Sequence, residues 1–438
     1  MRTIVNAGFW IGVYLFLIMA PLFVLLIGPV PPGRGFWREF SVGLGFMGLS
    51  MMGLQFFLTG RFRHVTSPYG IDVIYHFHRQ ISLIAFAFIL LHPLIIMISA
   101  PEALVFLNPI SSPWWINAGV AALVSLTILI VTSVKRQKLR ISYEPWRLTH
   151  AFLAICAVGL ALTHIEGVGY YVQGPLKRWF WVGLALAWIL SLIYIRIIKP
   201  IGMFKRPYTV EKVIKERGRT WTLVLRPEGH QGISFRPGQF AWLKIDKSPF
   251  AIREHPFSFS SSAMKMGGLE ISVKELGDFT STIGDVPPGT RAYLDGPYGT
   301  FTVDRHTAPG YVFIVGGVGI TPVISILRTL ADRHEKRPLQ LFYSSKTWED
   351  VTFREELDNL GRRLKLQVVH TLSDPPENWE GERGRINAEI MARYLPENRV
   401  DCEYFICGPE PMQMAVKKAL QKLGLPLENL QSESFNFV

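Results

Sequence analysis

Six stretches in the first 200 residues are apolar enough to dictate their own surroundings: 4–27, 40–58, 76–98, 116–134, 146–165 and 179–198. Each approaches or exceeds the roughly 20 residues a helix needs to cross the hydrocarbon of a bilayer. In that medium every backbone N–H and C=O must be satisfied within the segment, so these stretches are expected to be helices. The first has only Arg2 ahead of it and no small-residue cleavage pattern before Pro29, and reads as a retained helix rather than a signal peptide. Beyond residue 200 the 438-residue chain changes character, to short strand-like runs, Gly/Pro turns and charged helices.

The short loops carry an uneven charge. Arg61 and Arg63, then Lys135, Arg136, Lys138 and Arg140, then Lys199, Lys205 and Arg206 fall on one side; only Arg34, Arg38, Lys177 and Arg178 fall on the other. The positive-inside bias predicts a multi-pass protein of the plasma (inner) membrane with both termini and the soluble half cytoplasmic. The net charge of +12 comes largely from these juxtamembrane residues, which suits anionic lipid headgroups. No nucleic-acid motif is present, and a nucleic-acid partner is not expected. The three cysteines, Cys156, Cys402 and Cys407, are too few for a disulfide framework.

The third segment, "HRQISLIAFAFILLHP", has His78 and His92 at its ends, and the fifth, "HAFLAICAVGLALTH", has His150 and His164 with the same spacing of fourteen. At about 100° per residue, fourteen residues return to within roughly 40° of the same face, about 21 Å along the axis. With one helix between them the two segments run parallel, so His78 is expected level with His150 near the cytoplasm and His92 level with His164 near the outside. Two imidazoles at one depth supply the two axial positions of a haem iron, and two such pairs form a ladder of two haems. The plainer alternative is a set of polar histidines satisfied by neighbouring helices or lining a proton path. His76 lies about 160° around the helix from His92, and His64 sits in a basic loop. Arg79 and Arg147, at the level of the inner pair, suit either haem propionates or a positive-inside anchor.

After "KPIGMFKRPY", the runs "YTVEKVIKE", "TWTLVLRP" and "FAWLKI" suggest a small antiparallel barrel. "REHPFSFSSS" puts Arg253, His255, Pro256, Phe257 and Ser258 at a strand end, with Ser258 able to donate to a ring nitrogen and Phe257 or Phe259 forming an apolar wall. In "VKELGDFTST", Gly277 and its neighbours can turn N–H groups toward a pyrophosphate, with Lys274 and Thr280 alongside, or simply form a turn. "DGPYG", 295–299, is expected to be a Gly-Pro turn closing the barrel. From 311, "YVFIVGGVGITPVISILRTL" reads as buried strand, glycine loop and helix, the opening of a dinucleotide-binding unit in which Gly316, Gly317 and Gly319 admit phosphate. Ser345 and Lys346 follow the next strand and favour NADPH over NADH; Cys407, Gly408 and Pro409 end a later one, where the cysteine either packs or lies beside a nicotinamide.

Taken in this order, the two H-x13-H segments, "HPFSFS", "VGGVGITP" and "CGP" resemble the ferric reductase and NADPH oxidase superfamily, in a bacterial-type form, over nearly the whole chain. The resemblance implies three domains: a six-helix transmembrane haem domain, 1–200; an antiparallel β-barrel FAD domain, 201–305; and a doubly wound α/β NAD(P)H domain, 306–438. It implies that Arg253, His255, Pro256, Phe257 and Ser258 bind the FAD ring and that Lys274, Gly277 and Thr280 belong to the flavin-phosphate stretch. Gly316, Gly317, Gly319, Thr321 and Pro322 then form the nicotinamide-dinucleotide loop, and Cys407, Gly408 and Pro409 the nicotinamide contact. Members usually end in an acidic residue followed by an aromatic that shields the flavin. Here "SESFNFV" offers Glu433 with Phe435 or Phe437.

The implied function carries electrons from NADPH through FAD and two b-type haems, held by His78, His150, His92 and His164, to oxygen or ferric iron outside. Cys407, Ser258 and Phe435 would stand at the hydride-transfer site. Two rivals predict otherwise: a membrane-anchored flavin reductase would hold no haem, and a histidine-lined transporter would work without NADPH.

Overall fold

The computed structural model describes residues 2–62, 69–245 and 248–433, with side chains from residue 8 onward. It separates into two compact units, residues 1–68 with 73–198, and residues 69–72 with 199–438.

The first unit is helical. Its six long helices are α1 (Arg2–Leu25), α2 (Phe36–Leu58), α3 (Ile71–Ser99), α4 (Trp114–Val134), α5 (Tyr143–Val168) and α6 (Pro175–Ile193), and all six are long and apolar enough to cross a membrane. Several overrun the apolar stretches that announce them: α3 starts at Ile71 and α5 at Tyr143, because flanking polar residues extend the hydrogen-bonded ladder past the hydrocarbon-like core. Small and polar residues of α2, including Ser41, Gly48, Ser50, Gly53 and Gln55, face inward. This is how helices approach closely when lipid gives no hydrophobic drive between them. The run from α6 continues through a π-helical turn, Tyr194–Ile198.

The second unit begins with a short helix, α7 (Lys199–Phe204), and two sheets. Strands β1 (Tyr208–Glu216), β2 (Thr220–Pro227), β3 (Phe240–Ile245), β4 (His255–Ser258), β5 (Leu269–Lys274) and β6 (Arg291–Tyr298) pair antiparallel in the order β4-β3-β6-β1-β2-β5. Just past β4, Phe259 bridges Ile271 and the Ser260 N–H donates to Glu270 O at 2.8 Å, which curls the sheet back onto β5. Alternating inward residues such as Val210, Leu223, Leu225, Leu243, Phe259 and Ile271 fill the interior. The expected turn at 295–299 is instead mostly strand. Asp295 to Tyr298 end β6 opposite Trp242 and Phe240, and a bulge in that register takes up the residue that Gly296 and Pro297 add. Lys199 holds α7 to this strand through Asp295, 2.9 Å, and the Tyr298 hydroxyl, 2.8 Å.

The second sheet is parallel, in the order β10-β9-β8-β7-β11-β12. Its strands are β7 (Tyr311–Gly316), β8 (Leu339–Ser345), β9 (Leu366–Leu372), β10 (Glu382–Arg383), β11 (Glu403–Cys407) and β12 (Leu430–Glu433). The helices of this unit are α8 (Asp278–Ser281), on the barrel, then α9 (Ile320–Asp332), α10 (Arg354–Arg363), α11 (Ala388–Tyr394) and α12 (Glu410–Lys422). Phe313 and Val315 of β7 pack with α9 and α10, while Val312 and Ile314 pack with α11 and α12. Both faces are covered, as in a doubly wound fold. The strand order reverses between β7 and β11, and ligands of such sheets bind beyond the carboxyl ends at that point.

Candidate functional site

Within the helical unit, the rings of His78 and His150 have centroids 6.4 Å apart, and those of His92 and His164 6.5 Å apart. Every ring is anchored through Nδ1 to a neighbouring helix. On α3, His78 Nδ1 meets Gln55 Oε1 at 2.7 Å, and His92 Nδ1 meets the Ser41 carbonyl at 2.9 Å, both on α2. On α5, His150 Nδ1 meets Ser133 Oγ at 3.1 Å, and His164 Nδ1 meets the Trp115 carbonyl at 2.9 Å, both on α4.

These partners fix the tautomer. A carbonyl only accepts, so His92 and His164 carry hydrogen on Nδ1. Gln55 donates its Nε2 to Met51 O at 2.9 Å, which leaves Oε1 to accept from His78. The Ser133 hydroxyl donates to Leu129 O at 2.7 Å and so accepts from His150. In all four rings Nε2 keeps its lone pair, and among the described residues none of these Nε2 atoms has a hydrogen-bond partner. Neighbouring glycines leave room for the outer pair. A Cβ on Gly45 would come within 3.3 Å of the His92 ring, and one on Gly119 within 2.8 Å of His164 Nδ1.

This arrangement fits haem. Two iron–nitrogen bonds of ~2.0 Å, plus ~1.1 Å from each nitrogen to its ring centre, would put the centroids ~6.2 Å apart, close to the separations observed. Among the described residues no group of three or more His, Cys, Asp or Glu could hold a bare metal ion, so the remaining donors would have to come from a macrocycle. His76 and Arg79 are exposed and Arg147 is half-buried; His64 lies outside the described residues. Where α1 ends and α2 begins, a cavity of about 250 Å³ is lined by Leu22, Leu25, Leu26, Val30, Pro31, Glu39 and Tyr171.

In the second unit, the motifs gather at the ends of β4, β7 and β11. Gly316, Gly317 and Gly319 follow β7, and Cys407, Gly408 and Pro409 end the adjacent β11, with Val315 opposite Cys407. A Cβ on Gly319 would stand 2.2 Å from the Cys407 carbonyl oxygen, so only glycine lets the two loops touch. Thr321 and Pro322 are buried in the first turn of α9, where the Thr321 hydroxyl donates to Val318 O, 2.9 Å. Burial pushes the Cys407 thiol well above its usual pKa, so it sits there as a neutral group. Glu433, opposite Cys407 in the register, likewise has its carboxyl driven well above the usual range by burial.

The barrel contributes the other wall. Ser258 is 3 % exposed, and neither its Oγ nor Glu433 Oε2 has a hydrogen-bond partner among the described residues. A Cβ on Gly299 would lie 3.1 Å from Phe240, which pairs with Ser258, and 3.3 Å from Glu433 Oε1. The barrel end and the switch point of the parallel sheet therefore meet there. The His255 ring stacks on Phe279 at 4.1 Å and Phe257 lies 6.2 Å from the same ring. Phe279 was not singled out from sequence, although it is the one aromatic in "GDFTST". Buried polar atoms without partners beside stacked aromatics suit a planar ring with polar edges, as a flavin has.

Lys244 sets the approach to β4. It is buried, 3.4 Å from Glu254, and donates to the carbonyls of Pro249 and Ala251, holding the loop that ends in exposed Arg253. Pro256 is half-buried in β4. Lys274 closes β5, and the Thr280 hydroxyl accepts from the amides of Leu276 and Gly277, at 2.8 and 2.9 Å. Those two amides are therefore committed inside the turn. Ser345 is buried at the end of β8 with Lys346 exposed beyond it. Nearby, and unforeseen in the sequence, Arg354 lies over Trp348, 4.5 Å from its ring centre, and Trp348 packs on Trp379. Phe435 and Phe437 lie outside the described residues.

Residues 44–161 match the family described as ferric reductase like transmembrane component, and residues 313–418 match the oxidoreductase NAD-binding domain. The chain is 30% identical over 231 residues to the glycine betaine monooxygenase reductase subunit of Chromohalobacter salexigens, covering 51% of this chain and 62% of that one. It is 31% identical over 182 residues to NADH-cytochrome b5 reductase 1 of Candida albicans, covering 40% and 62%. The chain thus spans about three-fifths of the length of these relatives. Among solved structures, the flavohem-like FAD/NAD-binding domain of a Vibrio cholerae nitric oxide dioxygenase overlaps with a TM-score of 0.47 at 23% identity, covering 52% of this chain and 98% of that one. The chain thus joins a region matching the ferric reductase like transmembrane component, within the helical unit, to one matching the oxidoreductase NAD-binding domain, within the second unit.

Proposed function

We propose that the protein is a transmembrane oxidoreductase that takes electrons from NAD(P)H on the cytoplasmic side and delivers them to a small acceptor, oxygen or a ferric chelate, at the opposite face of the plasma membrane. When bound, flavin would take hydride from the nicotinamide and release electrons singly to haem iron, which accepts one at a time. The observation that carries the reading is the pair of stacked histidine levels, each with both Nε2 lone pairs left open. His78 and His150 would hold the haem nearer the cytoplasm, and His92 and His164 the outer one.

The residues of the soluble module support the first half of the path. Gly316, Gly317 and Gly319 let a dinucleotide approach the start of α9, while burial disfavours ionisation of both Cys407 and Glu433 where the two sheets meet. Ser258 can donate to a ring nitrogen of the flavin. Lys346 and Arg354 offer cations at the far end of the site, where the extra phosphate of NADPH would be met. Since two histidines at each level would hold the group, the acceptor would take its electron without binding the iron.

The test uses full-length protein reconstituted with FAD and haem. His78→Ala should lose one of two haems and abolish transfer across the membrane, while NADPH-driven reduction of a soluble dye by the flavin module continues. A variant with its full complement of reducible haem would refute the ligand assignment. Comparing superoxide-dismutase-sensitive dye reduction with anaerobic ferric-chelate reduction identifies the acceptor.

A further inference from the structure

Each histidine-bearing helix leans on one neighbour: α3 on α2, and α5 on α4. The two levels are anchored differently. His92 and His164 donate to main-chain carbonyls, of Ser41 and Trp115, which no side-chain replacement removes, although the Ser41 hydroxyl, which donates to His92 O at 2.8 Å, also lies 2.9 Å from His92 Nδ1. His78 and His150 donate to side chains, Gln55 Oε1 and Ser133 Oγ. Gln55 is 9 % exposed and its amide is oriented by Met51 O; the Ser133 hydroxyl is oriented by Leu129 O.

We propose that Gln55 and Ser133 are the positioning residues of the inner histidine pair, fixing which nitrogen each ring presents and tuning how strongly it donates, independently of the outer pair. The inference rests on the two-haem reading. An acceptor on Nδ1–H draws that hydrogen away from the ring and makes Nε2 a stronger donor, which favours the ferric state. It also stops the imidazole from turning over about its Cβ–Cγ bond and offering a carbon in place of Nε2. A serine bonded to the carbonyl four residues back is often only a local feature of an apolar helix. At Ser133 the hydroxyl, after that bond, is within reach of a ring that has no main-chain acceptor among the described residues. Gln55 makes the same double connection from the other side, and it stands fourteen residues after Ser41, the spacing of the histidines themselves.

Full-length protein is purified in detergent and loaded with haem as wild type, Gln55→Met, Ser133→Ala and Ser133→Thr. Haem content, potentiometric titration followed by visible absorbance, and electron paramagnetic resonance of the ferric state are read on each. Gln55→Met and Ser133→Ala should each weaken haem retention at one of two sites by about 10–100-fold. They should raise the midpoint of one wave and alter one of two low-spin signals. Ser133→Thr, which keeps the hydroxyl, should restore both. Unchanged midpoints and spectra in both variants would overturn the assignment, and so would equal disturbance of the two haems, which marks loosened packing. Wild-type protein that binds no haem would instead overturn the two-haem reading itself.

Discussion

Arg328 ties the barrel to the nucleotide sheet, and its removal has a calculable effect. From α9 its guanidinium donates Nε and Nη2 to the two oxygens of Glu356, at 2.6 and 2.7 Å, and Nη1 to Glu270 Oε2 at 2.7 Å and to the Ser260 carbonyl at 2.8 Å. Ser325 and Thr329 of the same helix add bonds to Ser261 O and the Ala263 amide. Arg328→Met leaves Glu270 with Lys265 alone, and strips Glu356 of its pair. Breaking a buried pair by deleting one partner costs about 3–5 kcal/mol. The arginine side chain is 19% exposed and that of Glu356 34%, so solvent reduces this to about 2–3 kcal/mol. In a unit of this size that lowers the melting temperature by about 4–12 °C. Thermal unfolding of the full-length chain by tryptophan fluorescence reads it directly. The pH dependence is a second check. Burial works against ionisation of Glu270, but Arg328 and Lys265 prevail and hold its carboxyl below the usual 4.5. A depressed carboxyl stabilises above its unfolded pKa and loses that contribution as pH falls through the folded one. The gap between wild type and variant should therefore be full above about pH 4.5 and shrink below it. A loss under 2 °C at pH 7, or a gap that widens in acid, would refute the reasoning.

Two further outcomes follow from the site. Gly319→Ala pushes a methyl into the Cys407 carbonyl and should cost about 1–3 kcal/mol, with the KM for NADPH in dye reduction rising at least tenfold; a KM within twofold of wild type would show that the two loops can part freely. Glu433 has its pKa raised by burial, so its stabilisation is complete below about pH 4.5 and declines as pH rises toward the folded value. Melting curves from pH 5 to 9 should fall for wild type and flatten for Glu433→Gln, and parallel slopes would contradict a buried neutral carboxyl.

The histidine ladder is legible in sequence because a helix converts spacing into direction: fourteen residues mean one face, whatever surrounds it. The glycine loop and "CGP" are legible because close backbone approach demands glycine. The anchors of the histidines are not, since Gln55 and Ser133 act between helices far apart in the chain, and the Trp115 carbonyl leaves no mark on residue type at all. The repeat of Ser41 and Gln55 at the histidine spacing was the available signal. The stretch 276–280 is open in sequence to a phosphate loop or an ordinary turn, because residue type does not show that the Thr280 hydroxyl takes the amides of Leu276 and Gly277. "DGPYG" reads as a turn by composition, and becomes strand because its partner can accommodate the bulge.

The fourteen-residue interval also sets an electrical distance. The two histidine levels are about 21 Å apart along the helix axis, against a hydrocarbon core of about 30 Å. An electron moved from one level to the other crosses roughly 0.7 of the membrane's field, worth about 1.6 kcal/mol per 100 mV. On the proposed reading, with the inner level facing a negative cytoplasm, the field would push electrons outward and each turnover would discharge it. The rate of such a transfer would then depend on membrane voltage, and sustained flow would need a cation to follow each electron across.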